Sequence, residues 1–171
     1  SSQTPIYIAP VGRAGREYSR GESKWGVKGF GTELSLDGGA LGIDATTSRS
    51  TLIHELQHRM DETNPNLKEL LRQFYIKKVT NAKGKSKKPK TIPGYSSREK
   101  YIEVADGGNK WINDYMGKFY GFGDTPDQTR AWEIATMSME SIVLDNNHGA
   151  KRLEFYQEDV YKFMLGVLAG V

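Results

Sequence analysis

Two of the three histidines in this 171-residue chain, His54 and His58, stand four residues apart in Thr51-Leu52-Ile53-His54-Glu55-Leu56-Gln57-His58. That spacing has a consequence only on a helix, where residues i and i+4 project from one face, one turn apart. The flanks agree with a helix. Ser48 and Ser50 are the N-cap candidates just upstream. Asn64-Pro65 is a stop signal downstream, because the residue before proline is steered away from helical geometry. Leu52, Leu56 and Met60 recur every four residues on a different face from the histidines. The pattern predicts a helix of about four turns, with a buried apolar side and a separate histidine side.

Two neutral imidazoles one turn apart can grip one Zn2+, and Glu55 sits beside them, placed to take a proton from a water on the metal. This is the H-E-x-x-H pattern of zinc peptidases. The bland alternative is a pair of surface histidines with no ligand role. The chain has no cysteine, so a metal here must use His, Asp or Glu.

The motif supplies two ligands, and a catalytic zinc needs a third protein ligand plus an open position. Glu133 lies within Ala131-Trp132-Glu133-Ile134-Ala135-Thr136-Met137, an acid in an apolar stretch. Burying it without a partner is costly, and a metal or a salt bridge could serve. Glu140 shares its face but lies about 10 Å further along the helix axis, so the two glutamates do not bind one ion directly. Glu133 is assigned as ligand. Glu140 is a candidate acceptor for a ligand imidazole N–H, or a partly exposed acid. His148 competes as third ligand, with an exposed loop histidine as its alternative. Asp61 and Glu62 follow His58 closely enough to orient an imidazole, or to be solvated acids near a helix end.

The length suits one domain, residues 1–171, with a sizeable core. Residues 1–31 are expected to be irregular, and 80–100 to be a basic loop insertion. No apolar run approaches a membrane span. The start, Ser1-Ser2-Gln3-Thr4-Pro5, carries no signal-peptide pattern, and a processing boundary and an excised domain account for it equally well. Residues 77–90 hold seven lysines and no acid; removing them from the net charge of +3 leaves the rest of the chain at −4. The basic character is therefore local. It reads as a solvated, mobile insertion or as a contact for DNA or another polyanion. The lack of aromatics there argues against single-strand stacking.

Residues 6–11 predict a short strand, and 12–31 a Gly/Arg-rich loop. Leu34/Leu36 and Leu41/Ile43 flank Asp37-Gly38-Gly39 as a hairpin. Residues 66–79 predict an amphipathic helix with Leu67, Leu70, Leu71, Phe74 and Ile76 inward. Residues 101–122 have no clear assignment. Thr125-Pro126-Asp127-Gln128 predicts a capped helix running to about Asp145. A last helix is expected over 153–169, with Leu153, Tyr156, Val160, Phe163, Met164 and Val167 on one side.

Three stretches together resemble the zinc-metallopeptidase domain at the C-terminal end of phage head-morphogenesis proteins of the Mu F-like minor head type. They are a short strand followed by Ser50 to His58, the aromatic stretch Asp114 to Tyr120 shortly before the Glu133-to-Glu140 helix, and the Glu158-to-Phe163 tail with its Leu/Gly ending. The first is specific, the second less so and the third weak. The resemblance covers roughly residues 40–171 and leaves the lysine-rich insert and the Gly/Arg-rich N-terminal part without a counterpart. It implies a zincin-like α+β fold: a small twisted sheet packed on the H-E-x-x-H helix, with further helices C-terminal. It also implies Glu133 as third ligand, a phage, virion or bacterial cytoplasmic setting, and a polypeptide substrate.

The expected chemistry is peptide hydrolysis, with His54, His58 and Glu133 on zinc and Glu55 as general base. Tyr115, Tyr120 and Arg130 are candidate oxyanion donors. A strand at 40–44 is expected as the sheet edge along which an extended peptide could lie. Two rival readings stand beside this one: a zinc-stabilised assembly domain without turnover, and a nucleic-acid-binding protein using residues 77–90.

Overall fold

The histidine helix starts and stops where its local signals put it. In the computed structural model, which describes residues 7–10, 18–19, 40–43, 48–105, 108–120, 132–144 and 149–170, helix α1 spans Arg49–Thr63. The Ser48 side chain accepts the Thr51 amide at 3.1 Å, and Asn64 closes the other end with its amide on Met60 O.

Contacts divide the chain into two compact units, Ser1–Pro65 and Asn66–Val171. The first holds α1 and a three-stranded sheet of β1 (Tyr7–Pro10), β2 (Tyr18–Ser19) and β3 (Ala40–Ile43), in the order β1-β3-β2. β1 runs parallel to β3, with Tyr7 opposite Ala40 and Pro10 opposite Ile43; β2 is antiparallel, with Tyr18 opposite Leu41. α1 packs beside β2 and β3.

This arrangement corrects two expectations. The Gly/Arg-rich loop contains a paired segment, Tyr18–Ser19. The strand expected to be a free edge is central, because β1 and β2 take both of its hydrogen-bonding sides. A peptide cannot add to a strand with no open side. The other hairpin arm, residues 34–36, lies outside the described residues.

A further correction concerns the face of α1. The buried side chains are polar, Glu55, Gln57 and Asp61, while Leu52 and Leu56 are half-buried and Met60 is 42% exposed. Gln57 Nε2 donates to Asp61 Oδ1 at 2.6 Å across one turn, which offsets part of the cost of burying both.

Helix α2 (Pro65–Val79) has its proline at the first helical position, and from Asn66 onward it belongs to the second unit. Leu67, Leu71, Tyr75 and Val79 form its buried stripe, four residues apart. Leu70, expected inside, is 41% exposed, and Tyr75, not expected there, is fully buried. Phe74 stacks on Phe163 with ring centroids 4.2 Å apart. Tyr75 can be buried because its hydroxyl donates to Gly117 O at 2.8 Å. Gly117 ends a short 3-10 helix, Asp114–Gly117, at a place where a Cβ would collide with the Trp111 indole and the Ile102 carbonyl.

The lysine-rich stretch is not the plain loop insertion expected over 80–100. β4 (Lys90–Thr91) pairs antiparallel with β5 (Lys100–Tyr101), and Ile92 beside them is buried. Ahead of them Thr80 bridges Ser86 around a tight turn.

Helix α3 (Trp132–Leu144) carries Glu133, and the predicted cap at 125–128 lies outside the described residues. The single C-terminal helix expected over 153–169 is two helices, α4 (Gly149–Tyr156) and α5 (Glu158–Leu168). The break is Gln157, a buried residue with φ −146° and ψ 56°. Its Nε2 donates to Lys110 O at 2.6 Å and to Asn109 O at 3.2 Å. Leu153, Val160 and Met164 are the buried apolar residues of this pair, whereas Tyr156 is exposed. The described chain is thus α+β, mostly helical with two small sheets.

Candidate metal centre

The His54 and His58 rings meet edge to face on α1, with centroids 4.7 Å apart and planes at 84°. Their Nε2 atoms approach to 3.1 Å. Only one ring N–H can lie between two nitrogens at that distance, so at least one Nε2 presents its lone pair there. Two Nε2 atoms bound tetrahedrally to one zinc at 2.0–2.1 Å would stand about 3.3 Å apart. The pair is therefore close to the spacing that one ion requires. Glu55, next to His54, is buried.

Glu133 is 2% exposed near the start of α3. Its two carboxylate oxygens are held separately. The Tyr120 hydroxyl donates to Oε1, and Thr136 Oγ1, one turn on, donates to Oε2 at 3.1 Å. Each oxygen has two lone-pair sites, so both bonds leave acceptor capacity for an ion.

Behind Tyr120 sits a buried ammonium. Lys118 Nζ lies 4.6 Å from the ring centroids of both Tyr115 and Tyr120. It donates to Tyr115 Oη at 2.9 Å and pairs with Glu99 at 2.9 Å. Burial opposes its charge, but the bonds to Glu99 and Tyr115 outweigh that and hold it above the usual lysine range. Burial first, and then the nearby charge of Glu133, push both tyrosine hydroxyls above their usual range, Tyr120 far above it. Both phenols therefore remain hydrogen-bond donors at neutral pH.

His54 and His58 on α1 offer two imidazole nitrogens and Glu133 on α3 one carboxylate, a group that could hold a metal ion. Two imidazole nitrogens and one carboxylate are a donor set that suits zinc. Glu140 is half-buried on α3, and Asp61 accepts from Gln57. Tyr120, expected as an oxyanion donor, holds the Glu133 carboxylate in this structure, and Tyr115 is engaged with Lys118. The Glu62 side chain, Arg130 and His148 lie outside what the structure describes.

Thr136 and Lys118 were not singled out from sequence. Thr136 had a readable signal, since a hydroxyl three residues after a buried acid on a helix faces it. Lys118 had none, because its partners lie in other elements. No protein-family model, curated protein or solved structure matches the chain.

Proposed function

We propose that this chain is a zinc-dependent peptidase of zincin-like fold, with His54, His58 and Glu133 holding the ion and Glu55 as general base. The observation that carries the proposal is the convergence of the His54 and His58 Nε2 atoms at 3.1 Å on a capped helix, with Glu55 buried beside them. The likeness to phage head-morphogenesis domains supports the same reading and points to a phage setting and a polypeptide substrate.

A bound zinc ion would supply Lewis acidity toward the scissile carbonyl and make a water acidic enough to lose its proton near neutral pH. Glu55 takes a proton from the attacking water and returns it to the departing amine. Tyr120 and Thr136 fix the Glu133 carboxylate in one orientation, so that little side-chain freedom is left to lose when a ligand is bound. Lys118 holds the Tyr120 ring from behind and balances part of the buried negative charge.

Glu55→Gln separates binding from chemistry. The variant should keep the metal content of the wild type and lose hydrolysis of an unstructured protein substrate by at least about 100-fold, the scale of general-base catalysis. Equal hydrolysis by the variant removes Glu55 from the mechanism. A zinc-loaded wild type with no hydrolysis at all points instead to an assembly domain.

A further inference from the structure

The lysine-rich stretch contains two kinds of lysine. Lys78, Lys87 and Lys90 are tied to acids from other segments: Lys78 to Asp159 at 3.0 Å, and Lys87 and Lys90 to Glu103 at 3.7 and 2.7 Å. Lys77, Lys83, Lys85 and Lys88 are exposed, and among the described residues no carboxylate pairs with them. The tied lysines flank the turn, and the others extend through it from the end of α2.

The turn itself is held. Asn81 Oδ1 accepts both the Lys83 and the Lys85 amides at 3.0 Å. The Asn81 amide donates to Lys85 O and the Gly84 amide to Asn81 O, each at 2.9 Å. Gly84 takes φ +70°, a conformation other residues adopt at a cost. The backbone carrying these charges is therefore fixed before any partner arrives, so fewer degrees of freedom are lost on binding.

From this separation of tied and untied lysines we infer that the turn at 77–88 is a docking site for the phosphodiester backbone of double-stranded nucleic acid. Its four untied lysines stand on a chain whose remainder is acidic, so the attraction is local and oriented. Residues 80–90 offer no aromatic ring for stacking on bases and no large apolar side chain for insertion into a bilayer. Phosphate contact without base readout is what such a surface can provide. The inference does not depend on the chemistry of the metal centre.

The test is the salt dependence of binding to a labelled duplex, followed by fluorescence anisotropy. Four phosphates neutralised by four lysines predict a slope of log K against log salt of about −3.6, which is about a 100-fold loss of affinity between 50 and 200 mM salt. The double variant Lys83→Gln/Lys85→Gln should reduce the slope by about 1.8. Lys90→Gln, whose charge is already tied to Glu103, should leave it unchanged. Matched DNA and RNA duplexes identify which backbone is preferred, and either result supports the site. No binding at 50 mM salt, or a slope that the double variant does not change, overturns it. Vesicles containing phosphatidylserine that bind as tightly as either duplex also overturn it. Circular dichroism confirms that these surface variants remain folded.

Discussion

Replacing Thr136 by valine removes one hydroxyl and keeps the shape of the side chain. Thr136 is fully buried, and its Oγ1 lies 3.1 Å from Glu133 Oε2 and 3.2 Å from the Glu133 carbonyl oxygen. A hydroxyl has one proton, and the ionised carboxylate is the stronger acceptor. Hydrogen bonds to charged groups contribute about 1.5–3 kcal/mol, and the extra buried methyl of valine offsets some of that. The net loss should be about 2 kcal/mol. At about 2–4 °C per kcal/mol for a protein of this size, the metal-free variant should melt about 4–8 °C below wild type. Thr136→Ser restores the hydroxyl and sacrifices a buried methyl group, so it too loses about 1 kcal/mol. The two variants separate on zinc affinity, measured by competition with a chelator. If Thr136 positions a metal ligand, valine should weaken zinc about 10–100-fold and serine should restore binding close to wild type. A valine variant that is less stable yet binds zinc as tightly as wild type refutes the reasoning, because Thr136 would then act on the fold alone.

Two further outcomes test the second unit. Gln157→Ala removes both side-chain bonds to Asn109 O and Lys110 O and leaves two carbonyls short of a donor, so denaturant unfolding should show a loss of about 2–3 kcal/mol; a loss below about 0.5 kcal/mol means that Gln157 does not hold the α4–α5 break. Arg72, and then Gln73, hydrogen-bond the Glu69 carboxylate and hold its pKa near about 2 against an ordinary 4.5. A depressed carboxylate contributes above its ordinary pKa and loses that contribution as pH falls from about 4.5 toward 2. NMR titration should show Glu69 still ionised at pH 3.5 and returned toward its ordinary value in Arg72→Ala; an unshifted wild-type Glu69 contradicts the pairing.

Local signals carried much of what positions the site. Ser48 and Asn64-Pro65 bound α1 because capping is decided by neighbouring residues. The histidine spacing was readable for the same reason. What failed depended on distant partners. The α4–α5 break falls at glutamine, a good helix former, and only carbonyls nearly fifty residues away draw it out of the helix. The inward face of α1 was misjudged because periodicity counts apolar residues, while the buried positions are Glu55, Gln57 and Asp61. β3 was read as a hairpin arm from its turn residues, yet its neighbours β1 and β2 come from earlier in the chain. Glu133 stood out because an acid in an apolar run needs a partner. Two of its partners are now visible, Tyr120 and Thr136, and neither was assigned that role from sequence.

The most direct test of the account is zinc content. The protein should be stripped with a chelator, incubated with a slight excess of zinc, desalted and analysed for metal by mass spectrometry, alongside His54→Ala and Glu133→Ala. The account predicts close to one zinc per wild-type chain and a loss of about 100-fold or more in affinity in each variant, with helical circular dichroism retained. A wild type that retains well under one zinc per chain, or a Glu133→Ala variant that binds zinc as tightly as wild type, contradicts it.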